Sequence, residues 1–314
     1  MAPNILVICG PTASGKTALA VELALLLGGE VVSADSMQIY RRMDIGTAKP
    51  TAEEMDGVPH HMIDVADPEE DFSVARYVEM ASACVDDIFS RGKLPIVAGG
   101  TGLYVDSLLS GRTFAAFSPD SSLRKELEAE LAERGGEAML AELSRVDPEA
   151  AARLHPNDHK RIVRALEVYR STGKTISEHN RETRALPPRY EALTIGLNFQ
   201  DRADLWARID ARVDQMAAAG LEREVRELLS SGLSPRCTAM QAIGYKEFMA
   251  AVEGDMTWRE AEELVKLRSR QYAKRQLTWF RRNPEVHWLL WEKNPNFGNA
   301  RQRSTELLEE FGLG

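Results

Sequence analysis

Cysteine is scarce in this chain: three in 314 residues, Cys9, Cys84 and Cys237, odd in number and far apart. That excludes a disulfide framework and points to reduced thiols in a cytoplasmic protein. Long apolar runs are missing too. Residues 5–9 (ILVIC) and 23–27 (LALLL) fall far short of the roughly 18 residues that span a bilayer, so no membrane segment is expected. The first residues carry neither a basic stretch nor a cleavage site, so a signal peptide is not expected either. Positive charge is in deficit, with 39 Lys+Arg against 48 Asp+Glu and a net charge of −9. That balance argues against a wholly basic nucleic-acid binder and moves the question to where the cations sit. What remains, 44% hydrophobic and 28% charged residues without repeats or low-complexity tracts, is an ordinary globular composition with about two domains' worth of chain.

The apolar pattern then sets an order of elements. Residues 4–9 (NILVIC), 30–34 (EVVSA) and 94–98 (LPIVA) read as buried strands. Residues 17–27 and 73–89 read as helices, the second with Val74, Tyr77, Val78, Ala81, Val85 and Ile88 recurring on one side. Strand and helix in alternation predict an α/β fold, a parallel sheet with helices on both faces. Near Thr113 the texture changes to Glu/Ala/Leu-rich sequence, and Leu186-Pro187-Pro188 marks an exit because proline ends helices. We therefore expect a core over 1–112, an inserted helical domain over 113–186, and a return to the core over 187–314. In that return, residues 192–199 read as a strand, 202–282 as helical throughout, and 286–291 as an edge strand.

Residues 10–17, Gly10-Pro11-Thr12-Ala13-Ser14-Gly15-Lys16-Thr17, fit the phosphate-loop pattern G-x-x-x-x-G-K-[ST] between a strand and a helix. Successive backbone N–H groups at the positive end of the following helix suit a diphosphate or triphosphate. Lys16 adds a full charge, and the Thr17 hydroxyl can ligate Mg²⁺. Nucleotide hydrolases usually end a further strand in an acid that holds Mg²⁺, yet the third strand here ends in Gly99-Gly100-Thr101. Asp35, closing the second strand, is the available carboxylate. Strand C-terminal ends line the ligand crevice in open α/β sheets, so Asp35, Thr101 and the phosphate loop should converge. Asp35 could there hold a water on Mg²⁺ or take a proton from a nucleophile; a plain helix N-cap fits the residue type as well.

Several segments together carry a resemblance. Residues 10–17 (GPTASGKT), 35–40 (DSMQIY), 43–50 (MDIGTAKP), 99–104 (GGTGLY), 155–158 (HPND), 161–168 (RIVRALEV), 242–247 (AIGYKE) and 274–281 (KRQLTWFR) resemble, in order, the tRNA dimethylallyltransferases, also called tRNA isopentenyltransferases. The resemblance implies a P-loop α/β core with a helical insertion that contacts the anticodon stem-loop. It implies transfer of a dimethylallyl group from dimethylallyl pyrophosphate to N6 of the adenosine 3′-adjacent to the anticodon, with Mg²⁺. By the same match Asp35 is the base, and Thr101 touches the adenosine in a cleft also lined by Ser36, Met37 and Gln38. Arg124 and Arg212 fall near the nucleotide and the pyrophosphate, with Arg208 one helical turn before Arg212. That pair shares a helix face at i, i+4 and suits a phosphate clamp, with salt bridges to Asp204 or Asp210 as the plain alternative. The matched segments also place Lys160, Arg161, Ile162, Val163, Arg164, Gln241, Ala242, Ile243, Gly244, Tyr245, Lys246, Lys274, Arg275, Gln276, Trp279 and Arg281 at the tRNA.

An independent cue supports the RNA reading. Residues 266–282 hold Lys266, Arg268, Arg270, Lys274, Arg275, Arg281 and Arg282 with no acidic residue, interleaved with Tyr272, Trp279 and Phe280. Loop recognition combines such a basic track with stacking on flat side chains, though a solvated helix face has the same composition. A base stacked in the anticodon loop must be turned out to reach the pocket. His60-His61 and the His155/His159 pair lack a cysteine or carboxylate set to complete a zinc site, and 155–158 reads as a helix start capped by Asn157 or Asp158. Three other readings stay in view: a P-loop small-molecule kinase, an isopentenyltransferase acting on free adenylate, and a non-catalytic RNA-binding P-loop protein. A monomer needing no protein partner is the expected state.

Overall fold

The structure, a computed structural model, describes residues 4–111 and 121–312. The chain divides into two compact units, one of Met1–Leu109 with Arg189–Gly314 and one of Ser110–Pro188. The change of texture placed at Thr113 lies outside the described residues.

In the larger unit β1 (Asn4–Cys9) leads into α1 (Lys16–Leu27), then β2 (Glu30–Ser33), the short α2 (Ala52–Met55), β3 (His60–His61), α3 (Val74–Ser90), β4 (Pro95–Gly99) and α4 (Gly102–Leu109). In the insert, α5 (Ser121–Val146) is broken at Gly135, whose φ is 78°. It is followed by α6 (Pro148–Ala151), α7 (His159–Thr172) and α8 (Ile176–Arg184). The chain then gives β5 (Glu191–Phe199), α9 (Arg202–Ala219), α10 (Leu221–Ser230), α11 (Tyr245–Glu253), α12 (Trp258–Phe280), β6 (His287–Trp291) and α13 (Phe297–Phe311).

The six strands form one parallel sheet in the order β3-β2-β4-β1-β5-β6. A central parallel strand is covered on both faces, which is why β1 is a continuous apolar run; Ile5 to Cys9 are fully buried. The strand expected at 286–291 is indeed an edge, β6. The opposite edge, β3, went unread because two half-buried histidines carry no apolar alternation. It exists because Val31 and Val32 pair with His60 and His61, and His61 Nε2 lies 2.7 Å from the buried Glu30 carboxylate. Glu30 also takes Arg91 and Lys93, and the Arg91 hydrogen bond holds its carboxyl well below the usual range despite burial. These histidines are thus structural, and no group of three or more metal-ligating side chains occurs among the described residues.

The reading of 202–282 as helical throughout needs correction. α-Helix stops between 231 and 244, where Gly232 (φ 89°) and Gly244 (φ 99°) turn the chain and only a single 3-10 turn, Ala239–Gln241, is formed. Asp158 does stand at the start of α7, but its carboxylate accepts from the His155 amide (2.9 Å) rather than from the helix. The insert has its own core of Leu127, Met139, Leu143, Ile162, Val163 and Leu166. No helix among the described residues is long and apolar enough to cross a membrane.

The glycines after β4 have a packing cause. A Cβ on Gly99 would sit 2.2 Å from the Ala34 carbonyl oxygen, because β2 and β4 run side by side where both enter the crevice. Gly99→Ala should therefore force the strands apart and destabilise the chain by about 1–3 kcal/mol, read as a lowered midpoint in urea denaturation; an unchanged midpoint would refute the close approach.

Candidate active site

The phosphate loop owes its shape to three residues with positive φ: Gly10 (143°), Ala13 (62°) and Gly15 (89°). A side chain at Gly10 would meet the Leu197 carbonyl at 2.4 Å, so β5 packs directly under the loop. The loop wraps onto the N-terminus of α1, whose first residues are Lys16 and Thr17. Lys16 Nζ donates to the Pro11 carbonyl (2.6 Å). Burial lowers its pKa to about 8, Arg212 adds to the fall, and Asp35 opposes it.

Residues remote in sequence hold this loop. The Thr12 amide donates to Gln276 Oε1 (2.9 Å), while Gln276 Nε2 donates to the Gly100 carbonyl (2.9 Å). Trp291 Nε1 donates to the Ser14 carbonyl (2.8 Å), and the Phe297 ring lies against Gly15. Sequence reading offered no cue to Trp291 or Phe297, because neither belongs to a local motif and their partners lie some 280 residues away.

Asp35 ends β2 in a turn with no helix behind it, so it is not a helix cap. Its Oδ1 accepts from the Met37 amide (2.8 Å) and more distantly from Gln38 (3.4 Å). The Ser36 amide donates to Thr101 Oγ1 (3.0 Å), joining the ends of β2 and β4. Gln38 spends its side-chain amide on the Thr47 and Ala48 carbonyls (3.4 and 3.1 Å).

Two cavities meet at the loop. The first, about 340 Å³, is lined by Thr12, Lys16, Thr17, Asp35, Ser36, Met37, Gln38, Arg212, Gln241, Ala242, Ile243, Tyr272 and Arg275, among others. The second, about 420 Å³, is lined by Ala13, Ser14, Gly15, Lys16, Thr17, Arg208, Arg212 and Phe297. Lys16, Thr17, Ala48 and Arg212 border both. Arg208 Nε donates to the Ala13 carbonyl (3.2 Å) and Arg212 Nη2 reaches the Ala48 carbonyl (3.4 Å). The alternative pairing with Asp210 is taken by Arg270 instead (2.6 Å). The two arginines therefore turn to the phosphate loop. Tyr272, half-buried, has its hydroxyl pKa raised to about 12, chiefly by burial and further by Asp35.

The basic track divides. Lys266 is tied to Asp214, Glu262 and Glu263, and Arg270 to Asp210. Arg268, Lys274, Arg275, Arg281 and Arg282 are exposed on or just beyond α12, and none has an ion pair among the described residues. The aromatics are not a stacking row: Phe280 is 4% exposed, and Trp279 packs on Gly102 with Nε1 donating to Asp106 (2.9 Å). Gln276, 5% exposed, lines the first cavity, and Tyr245 is fully buried. The Tyr245 hydroxyl donates to Glu224 (2.6 Å). Gly244 is buried and Lys246 exposed.

Within the insert, Arg124, Lys160, Arg161 and Arg164 line one cavity of about 460 Å³. Ile162 and Val163, on the opposite side of α7, are buried in the insert's core, so these side chains cannot meet a ligand. A run of consecutive helical residues always divides in this way, since i and i+1 point about 100° apart.

The chain is similar to known proteins over nearly its whole length. A family model described as IPP transferase matches residues 38–283, and one described as isopentenyl transferase matches residues 3–72. The tRNA dimethylallyltransferase of Acetivibrio thermocellus is 50% identical over 286 residues, 91% of each chain. That of Geobacter sulfurreducens is 50% identical over 311 residues, 98% of this chain and 97% of the relative. Among solved structures, the full-length tRNA isopentenylpyrophosphate transferase of Bacillus halodurans superposes with a TM-score of 0.73 at 43% identity, covering 99% of this chain and 98% of that one. A eukaryotic dimethylallyltransferase acting on tRNA gives 0.82 at 31% identity, covering 99% of this chain and 79% of that one. With half of its residues identical to such relatives over nearly their whole length, and a family model matching most of its length, the chain belongs to the tRNA dimethylallyltransferase family.

Proposed function

We propose that this chain transfers a dimethylallyl group from dimethylallyl pyrophosphate to N6 of the adenosine 3′-adjacent to the anticodon in tRNA, releasing pyrophosphate. The observation that carries this reading is the pair of cavities that share Lys16, Thr17, Ala48 and Arg212. One is ringed by phosphate-loop residues, the other by the Asp35 segment.

The allylic C1 becomes electrophilic as pyrophosphate leaves, so the largest task is stabilising charge on that leaving group. Lys16, the phosphate-loop amides, Arg208 and Arg212 do this from the phosphate side. The exocyclic adenine amine is a poor nucleophile because its lone pair is delocalised into the ring. Asp35 orients it and accepts its proton as the C–N bond forms. Thr101, fixed to the Ser36 amide, holds the acceptor end of the crevice.

Mg²⁺ fits the donors on this wall. Thr17 offers a hydroxyl oxygen to the cavity, and Mg²⁺ takes few protein ligands beside water and phosphate oxygens. When bound, it neutralises charge on the pyrophosphate. The exposed cations of α12, with Gln241 and Lys246, track the RNA backbone, as do Arg124, Lys160, Arg161 and Arg164 of the insert. The chain works as a monomer in the cytoplasm.

The test is a transfer assay with labelled dimethylallyl pyrophosphate and Mg²⁺. It offers tRNA with adenosine at the target position, the same tRNA with guanosine there, and free AMP. Label on the first alone is expected. Label on AMP would make the enzyme an adenylate isopentenyltransferase, and ATP consumption without label would make it a kinase. Charge reversal of Arg275 and Arg281 together should weaken tRNA binding and flatten the dependence of affinity on salt, by about one to two in the log–log slope. Filter binding at several salt concentrations checks this; an unchanged slope would remove α12 from the RNA surface.

A further inference from the structure

Glu224 lies outside every motif in the sequence, on the first half of α10. Its carboxylate accepts four hydrogen bonds. Oε2 takes the Asp44 and Ile45 amides (2.9 and 2.8 Å). Oε1 takes the Gly46 amide (3.1 Å) and the Tyr245 hydroxyl (2.6 Å). Three successive backbone N–H groups converging on one anion form a nest, and here the anion is a side chain from 178–180 residues further along.

The loop gripped in this way is the wall shared by the two cavities. Gly46, Thr47 and Ala48 face the cavity that holds Asp35, and Ala48 also borders the one that holds Arg208. Ala48 has φ 49°; a non-glycine residue stays in that region only where its surroundings over-determine it. Its carbonyl accepts from Gln38 Nε2 (3.1 Å) and Arg212 Nη2 (3.4 Å). Behind the loop, a Cβ on Gly46 would lie 2.5 Å from the Tyr245 ring. The carboxylate holding its amides and the ring packed on Gly46 fix the loop in place.

We propose that Glu224 is a positioning residue for prenyl transfer: a built-in anion that folds residues 44–48 so that the Ala48 carbonyl aims Arg212 at the departing diphosphate. It touches no substrate. This role rests on the reading under Proposed function, and it explains why a buried tyrosine and an acidic residue of a peripheral helix converge on a backbone loop.

The test uses the full chain with Glu224→Ala and Glu224→Gln in the tRNA transfer assay. Misplacing a reacting group by about 1 Å can cost about 10²-fold in rate, so kcat/KM for dimethylallyl pyrophosphate should fall by about that factor in Glu224→Ala. The fall should be smaller in Glu224→Gln, which keeps one acceptor oxygen. Affinity for tRNA should hold in both, since no RNA-facing cation touches Glu224. Removal of the side chain leaves the three amides and the phenol beside a surface cavity of about 380 Å³. Added acetate or formate should therefore restore Glu224→Ala by tenfold or more, and acetamide should not. Wild-type rates in both variants would overturn the role. So would losses of activity and tRNA affinity in parallel, in both variants, without rescue by acetate. Absence of transfer by the wild-type chain would instead overturn the functional reading itself, and this role with it.

Discussion

Asp35→Asn is expected to lower turnover by about 10²–10⁴-fold, the usual contribution of a positioned general base, while tRNA affinity stays near the wild-type value. The substitution is chosen for its geometry. Oδ1 of Asp35 is committed to the Met37 amide at 2.8 Å, and an asparagine oxygen accepts that bond equally well. The turn at 35–38, and with it the Ser36–Thr101 link, is therefore kept. What the amide cannot do is accept the proton released as the adenine amine becomes a secondary amine. Single-turnover transfer under saturating donor, with filter binding as the companion measurement, separates the two effects. A loss smaller than tenfold would mean that the amine loses its proton to solvent and that Asp35 only orients it.

Lys16→Met should cost about 10²–10³-fold in kcat, the range found when one donor to a developing oxyanion is removed. Its amine also sets a pH window. Burial brings its pKa down to about 8, with Arg212 contributing in the same direction and Asp35 against it. Below that value the amine carries its charge; above it, the free enzyme presents a neutral amine that must be protonated on binding the diphosphate. The advantage of wild type over Lys16→Met in binding dimethylallyl pyrophosphate should accordingly be largest below pH 8 and shrink by up to about tenfold per pH unit above it. Taking the ratio of the two proteins cancels the ionisation of the ligand itself. A ratio flat from pH 7 to 9.5 would mean that the amine keeps its ordinary pKa. The same shift has a sign for stability: the unfolded chain binds the proton more tightly, so this residue makes the fold more stable as pH rises from about 8 toward the ordinary lysine value.

Both expectations concern residues that were visible in the amino-acid order, and the reason is local. A phosphate loop is a strand, a glycine turn and a helix start in one continuous segment, so its pattern and its shape coincide. The buried strands β1, β2, β4 and β5 announce themselves as apolar runs for the same reason. β3 did not, because its two histidines are placed by the backbone of β2 and, for His61, by Glu30, 31 residues earlier.

The α/β class, the phosphate loop, the places of Asp35 and Thr101 just after strands, and the family can all be read from the order of residues. Which members of each motif face the crevice depends instead on how the elements pack. Along α12 packing turned Gln276 inward, to brace Thr12 and Gly100, set Arg275 at the cavity wall and left Lys274 outside. Along α7 it buried Ile162 and Val163 between an exposed Arg161 and a half-buried Arg164. It alone brought Trp291, Phe297 and Glu224 to loops that lie 178 to 282 positions earlier. Periodicity reports which face of an element is apolar; it carries no information on which distant backbone amide or carbonyl that face will meet. Those meetings are fixed by packing of the whole sheet and its helices, and they are what shape the crevice.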